Sequence, residues 1–261
     1  MTTTAVPPTL EQALEALESD ADGALRALLA AVKEAKRLKA AAATGQMRDV
    51  QQAVEAVDRL AAAAAGSATE LRAGWRFDVT GYFESESYTK ELLAATAAAG
   101  IQAVESDQRI LCYPSIIQVS TADTTVVIDK KRERRVRPSF LARLLAAGQD
   151  KTPKSKPEAF LETLAAAYAL VAPRPGAVAK LTDLYRVLTL LPGMSREYTK
   201  PEFARDLYLL DQSGITLTRT GLVMSLPASA LTRGSGNLTT VTKAGQVKLY
   251  AGVAFTAEEA P

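Results

Sequence analysis

A long run of small and aliphatic residues at helical spacing constrains the fold more than any other feature. Thr9 precedes the run and Gln12 follows three positions later, which is the pattern of a capping box at a helix start. Apolar residues then recur at steps of three and four through Leu10, Leu14, Leu17, Ala21, Ala24, Leu28, Val32, Ala35 and Leu38. This stripe predicts one long amphipathic helix that packs against another along its length.

A second stripe begins after a break at Thr-Gly-Gln, residues 44–46. It runs through Met47, Val50, Val54, Val57, Leu60 and Ala64, and we expect Gly66 and Ser67 to interrupt it. The two stripes predict an antiparallel helical hairpin, or coiled coil, over residues 1–72. Because many stripe positions are alanine, each helix buries little apolar area. Burial stabilises by about 25 cal/mol per Å², so each helix gains little free energy from this contact. We therefore expect residues 9–71 to bind a second copy or another protein; the alternative is a hairpin packed on its own chain.

The middle of the chain, residues 73–148, predicts an α+β domain. Alternation over residues 75–79 predicts a strand, and residues 87–99 predict a helix. Four further strands, at residues 101–105, 109–113, 116–121 and 124–129, predict a largely antiparallel sheet. A helix over residues 138–147 comes next, and a polar segment with Pro, Gly and Lys at residues 149–157 predicts an interdomain linker.

The last part of the chain, residues 158–261, has three helical segments followed by short strands. The helices are predicted at 158–171, 178–191 and 199–212, and the strands at 222–226, 238–242 and 246–255, with a glycine-rich tip at 232–237. Three helices followed by such a β-hairpin resemble a winged-helix domain. The resemblance implies either duplex DNA binding, with the third helix in the major groove and the wing on phosphate, or docking of a protein within a larger assembly.

Basic charge is concentrated in one stretch, although the net charge of the chain is only +2. Residues 129–156 hold ten basic and three acidic side chains, whereas residues 1–128 hold eleven basic and seventeen acidic ones. The candidate nucleic-acid-binding residues are cations of this stretch and of the wing: Lys130, Lys131, Arg132, Arg134, Arg135, Arg137, Arg233, Lys243 and Lys248. Because like charges repel unless a partner neutralises them, the DNA phosphate backbone is an expected partner; a solvated connection is the alternative.

The third helix of this region is a weaker candidate for reading bases. Its two cations are outnumbered by three acids, which gives the helix a net charge of −1. Sequence-specific reading would depend on Arg205, Tyr208 and Gln212. A helix in the groove meets one negative phosphate charge per about 1.7 Å, which disfavours a helix of net negative charge. Phosphate contact through the wing and residues 130–137, or protein docking through the third helix, is therefore favoured.

Composition excludes most catalytic classes. The chain has no histidine and a single cysteine, so it lacks Ser/His and Cys/His pairs, histidine-ligated zinc, CxxC sites and an internal disulfide. It also has no GxxxxGK[ST] motif. Cys112 lies in an apolar strand and is predicted to be an inert core thiol. We expect no enzymatic activity, no cofactor and no bound metal.

One metal-dependent alternative stays open. Asp129-Lys130-Lys131, after a predicted strand, matches the D/E-x-K half of the PD-(D/E)xK nuclease pattern, in which carboxylates hold Mg²⁺ and a lysine positions water. Further ligands would come from Asp107 or Asp123, and from Glu91 or Glu105. The Pro-Asp dipeptide of that pattern is missing.

The predicted fold is therefore an α+β multidomain chain: a helical hairpin (1–72), an α+β domain (73–148), a linker (149–157) and a winged-helix-like domain (158–261). No apolar run approaches the roughly 20 residues that span a bilayer, and no signal peptide is visible, so we expect a cytoplasmic protein without membrane contact. The predicted function is a non-enzymatic DNA-binding or adaptor subunit of a bacterial multiprotein assembly, serving transcription, chromosome maintenance or defence against phages and plasmids. A purely protein-docking scaffold and the nuclease are the alternatives.

Overall fold

The chain is a mixed helix-and-sheet protein with a helical N-terminal region and sheets further along. The computed structural model describes residues 7–149, 156–227 and 237–257. The helices are α1 (Leu10–Thr44), α2 (Met47–Gly74), α3 (Val79–Glu84), α4 (Ser87–Ala98), α5 (Pro138–Gln149), α6 (Pro157–Val171), α7 (Leu181–Leu188), α8 (Met194–Glu197) and α9 (Lys200–Ser213). The strands are β1 (Val104–Ser106), β2 (Arg109–Cys112), β3 (Ser115–Ser120), β4 (Thr125–Ile128), β5 (Lys131–Glu133), β6 (Ala179–Lys180), β7 (Leu222–Ser225), β8 (Leu238–Val241), β9 (Val247–Tyr250) and β10 (Gly252–Ala257).

The chain divides into two compact units, Met1–Glu91 and Leu92–Pro261. In the first unit the predicted hairpin is confirmed: Thr9 and Gln12 form the capping box of α1, and Gly45 ends it with a φ of 69°. The expected break at residues 66–67 is wrong, because α2 continues to Gly74. One glycine in a helix costs about 1 kcal/mol relative to alanine. The alanines around Gly66 have high helix propensity, so α2 continues through it.

The contact between α1 and α2 is built largely from alanine. Ala24 and Ala41 of α1, and Ala53 and Ala64 of α2, are all buried. Across the hairpin, Arg37 Nη2 lies 3.5 Å from Asp49 Oδ1. The predicted stripe is wrong at its centre, where Leu28 and Val32 stay half exposed instead of facing α2. The buried contact positions therefore carry alanine, and the larger side chains of Leu28 and Val32 lie outside the contact.

The start of α1 is fixed by a side chain from α4. The Glu91 carboxylate accepts hydrogen bonds from the backbone N–H groups of Leu10 at 3.0 Å and Glu11 at 2.9 Å, and from the Tyr82 hydroxyl at 2.7 Å. A negative charge at this position satisfies unpaired N–H groups and complements the helix dipole. The strand predicted at residues 75–79 is wrong: the Asp78 side chain accepts from the Gly81 N–H and caps α3 instead.

In the second unit, β1 to β5 form one antiparallel sheet in sequential order. Ile117 and Val126 lie on neighbouring strands and are fully buried. The predicted antiparallel character is confirmed, and the boundaries of the four predicted strands shift by at most three residues. The sequence prediction missed β5, a three-residue strand of Lys, Arg and Glu at the sheet edge.

The C-terminal region packs its helices and strands around one apolar core, with Leu164, Leu184 and Phe203 fully buried. The predicted third helix is confirmed as α9, with its capping box at Thr199 and Glu202. The predicted wing pairing is wrong: β7 pairs with β10, in a sheet of order β6-β10-β7, while β8 pairs with β9. The segment predicted at 246–255 as one strand is two strands, β9 and β10.

Candidate nucleic-acid interface

The basic segment begins in the tight turn between β4 and β5. Ile128 pairs with Lys131, so Asp129 and Lys130 form a two-residue loop, with φ values of 46° and 67°. Two positive φ values are typical of the hairpin turns whose twist matches the flanking strands, and Asp tolerates this conformation better than most residues. The turn therefore presents both side chains at one end of the sheet.

Asp129 attaches this turn to its surroundings. Its Oδ1 accepts a hydrogen bond from the Ile116 N–H at 3.2 Å and another from Arg205 Nη1, on α9, at 2.8 Å. The same Nη1 lies 3.3 Å from the Pro114 carbonyl oxygen. The Arg205 side chain, proposed as a base reader, is thus occupied by the neighbouring sheet.

Lys130 makes a second link to α9. Its Nζ lies 3.0 Å from Glu202 Oε1 and also donates to the Glu197 carbonyl. Glu202 Oε2 accepts from the Thr199 N–H at 2.8 Å, within the capping box of α9. Burial alone would raise the pKa of Glu202, but the bonds from Thr199 and Lys130 outweigh it and lower that pKa. Glu202 is therefore held as a carboxylate between the helix start and the turn.

Two arginines of the segment also have carboxylate partners. Arg132 Nη2 lies 2.8 Å from Asp123 Oδ2. Arg135 binds Glu133 with both ends of its guanidinium, at 2.9 and 2.6 Å, and stacks 4.5 Å above the Phe140 ring centroid. The Arg135 hydrogen bonds lower the pKa of Glu133 to about 2. These pairs neutralise much of the charge that the sequence suggested was available for phosphate.

The remaining cations of the segment differ in their surroundings. Lys131 and Arg134 are exposed, and within residues 7–149, 156–227 and 237–257 neither has a carboxylate within ion-pair distance. Arg137 is half buried, and its carbonyl accepts the Leu141 N–H at the start of α5.

The wing residues do not join this segment. Lys248 pairs with Asp211 and lies 5.2 Å from the Tyr250 ring centroid. Lys243 is exposed in the β8–β9 turn. This turn lies against Gln102, since a Cβ atom placed on Gly245 would come within 2.3 Å of the Gln102 side chain. Gln102 precedes β1, which lies at the opposite edge of the sheet from β5. The four strand spacings between β1 and β5 correspond to about 19 Å. Arg233 lies outside the described residues. Lys243 and Lys248 therefore do not form one cluster with the cations of the basic segment.

The face of α9 that would read bases is mostly packed. Tyr208 is 5% exposed, its hydroxyl accepts the Lys243 N–H at 3.2 Å, and its ring meets that of Tyr113 edge-on at 5.7 Å. Of the three candidate readers, only Gln212 is exposed.

The proposed nuclease residues do not assemble into a metal site. Asp129 binds Arg205, Asp123 binds Arg132, and Glu91 caps α1. In the part of the chain that the structure describes, no group of three or more His, Cys, Asp or Glu side chains is placed to hold a metal ion. Cys112 is fully buried, as predicted, and burial raises the pKa of its thiol to about 11.

No protein family, curated protein or solved structure matches this chain. Over the described residues, none of the helices combines the length and the apolar character needed to cross a membrane. The acids that pair with the basic segment, Asp123 and Glu202, were not recognised as partners from the sequence. Asp123 lies nine residues before Arg132, which is a weak sequence signal for this pair, whereas the distant Glu202 gave no such signal.

Proposed function

We propose that the protein is a non-enzymatic adaptor subunit that joins a larger assembly through its N-terminal hairpin. The observation that carries this proposal is the outer face of α1, where Leu25, Leu28, Leu29 and Val32 are 53, 49, 58 and 48% exposed. Contiguous apolar surface of this kind marks interaction sites in globular proteins, whereas scattered single residues do not.

The C-terminal region is proposed to dock a protein rather than to read DNA bases. Its order of helices followed by strands is compatible with the winged-helix resemblance, which stays part of the proposal. Arg205 and Glu202 on α9 bind the β4–β5 turn, so a duplex would have to displace charge-assisted bonds to reach this helix.

Affinity purification from the source cells tests the adaptor role. We expect a stoichiometric partner with the wild-type chain, and its loss with the double variant Leu25→Glu/Leu29→Glu. Leu170→Glu is the matched control, because Leu170 is 77% exposed on α6. Identical co-purification with all three chains would show that the α1 face has no role in assembly.

A second candidate function is weak, sequence-independent contact with phosphate through Lys131 and Arg134. The observation in its favour is that both are exposed and, in the described part of the chain, unmatched by a carboxylate. Since each phosphate contact contributes about −0.9 to the salt dependence of log K, Lys131→Ala/Arg134→Ala should flatten the slope by about 1.8. The control Arg132→Ala/Arg135→Ala should change it less, because these arginines already hold carboxylates. Absence of a gel shift near 50 mM salt would remove this candidate and leave the adaptor role standing.

A further inference from the structure

The outer face of α1 has an apolar centre with opposite charges at its two ends. Leu25, Leu28, Leu29 and Val32 follow one another at steps of three, one and three, which places them on one side of the helix. Their exposed fractions are close to one half. The buried contact with α2 is made by alanines at other positions, so this face is separate from the hairpin interior.

Charged residues continue the same face in both directions. Asp22 lies three residues before the apolar centre and Lys36 lies four residues after it, so both are on this side of α1. The 14 residues between Asp22 and Lys36 correspond to about 21 Å along the helix, too far for the two to pair within one chain.

We infer that this face binds a second copy of the chain, with the two α1 helices antiparallel and a twofold axis between Leu28 and Leu29. In that register Leu25 meets Val32 of the second copy, and Leu28 meets Leu29 of the second copy. Asp22 then lies beside Lys36 of the second copy. The face is self-complementary in this orientation, as a twofold interface requires.

Charge selects this orientation over the parallel one. In a parallel pair, Asp22 would face Asp22 and Lys36 would face Lys36 of the second copy, so each end would be repulsive. The antiparallel pair turns all four of these positions into opposite-charge neighbours around an apolar centre.

This inference rests on the proposed adaptor role and makes it specific: the assembly contains two copies, and each contributes one C-terminal region. Sedimentation of the purified full chain over about 1 to 100 μM tests it, since a dimer responds to concentration by mass action. The mass should rise from 27.7 kDa towards twice that value. Leu28→Glu should weaken association by about a hundredfold, because it places two charges at the centre of the contact. The control Leu170→Glu should have no effect.

Charge reversal tests the register with variants that leave the apolar residues intact. Asp22→Lys and Lys36→Asp should each weaken self-association by about tenfold, and the double variant Asp22→Lys/Lys36→Asp should restore it. Mixing the two single variants should give heterodimers, because both contacts are then complementary.

The outcomes separate this inference from the adaptor role. A wild-type chain that stays at 27.7 kDa over the whole range overturns the second copy as the occupant of the α1 face. A different protein that co-purifies with the wild-type chain and is lost with Leu25→Glu/Leu29→Glu would then still support the adaptor role. A dimer whose affinity is unchanged by either single reversal overturns the antiparallel register.

Discussion

The contact between Asp129 and Arg205 should contribute measurably to the stability of the second unit. It joins the β4–β5 turn to α9 across 76 residues of sequence, with 2.8 Å between Arg205 Nη1 and Asp129 Oδ1. Asp129→Asn removes the charge but keeps an oxygen for the Ile116 N–H and tolerates the positive φ. Asp129→Ala removes the charge, the acceptor oxygen and the tolerance of positive φ. Comparing the two substitutions therefore separates the contribution of the ion pair from that of the turn conformation.

The expected magnitudes follow from exposure. The Arg205 and Asp129 side chains are 24 and 40% exposed, so their bond should fall between an exposed ion pair and a buried charge-assisted hydrogen bond. We expect Asp129→Asn to lower the free energy of unfolding by about 1 kcal/mol, and Asp129→Ala by about 2–3 kcal/mol, since alanine at positive φ costs roughly 1–2 kcal/mol. The coupling between Asp129→Asn and Arg205→Ala should be about 1 kcal/mol.

Cys112 provides the assay. It is the single cysteine of the chain and is fully buried in β2, so we expect its thiol to react only when the sheet opens. Thiol-labelling rates at increasing urea therefore report the free energy of opening for each variant and for the double variant. Lys200→Ala, at an exposed position in the first turn of α9, is the control and should leave the rate unchanged. A coupling below about 0.3 kcal/mol would refute the view that this pair anchors α9.

Three further outcomes can be measured on the full chain. Burial and the bond to Glu91 raise the pKa of Tyr82 from 10.0 to about 12. The stability that the protonated phenol contributes is therefore present below pH 10 and lost as the pH rises towards 12. Tyr82→Phe should flatten this loss of stability, as measured by urea titrations at increasing pH. Glu91→Ala should destabilise the start of α1 by about 1–2 kcal/mol, seen as faster hydrogen exchange at Leu10. Arg135→Ala should return the pKa of Glu133 from about 2 towards 4.5, measured by NMR; the stability from this pair is present above pH 4.5 and lost as the pH falls towards 2.

Local signals allowed much of the helical structure to be predicted. The capping box predicted at Thr9 and the break predicted at Gly45 depend on residues within a few positions, and the structure has the same two signals at Thr199 and Gly214. Strand partners depend on distant residues, so alternation alone could not show that β7 pairs with β10 and not with β8. The strand predicted at residues 75–79 rested on three alternating residues, too few to outweigh the Asp78 cap.

The candidate site was predicted as a count of charges, but its chemistry depends on how they pair. Lys130, Arg132 and Arg135 are exposed, but each binds a carboxylate. Among the described residues around β5, this leaves Lys131 and Arg134 as exposed cations without a carboxylate partner. This strand is three residues long and lies at the edge of the sheet, where unpaired backbone groups invite pairing with another chain. Short, lysine-bearing edge strands oppose such pairing. Protection of the sheet edge therefore accounts for exposed positive charge here without any nucleic acid, and the salt dependence of Lys131→Ala/Arg134→Ala distinguishes the two explanations.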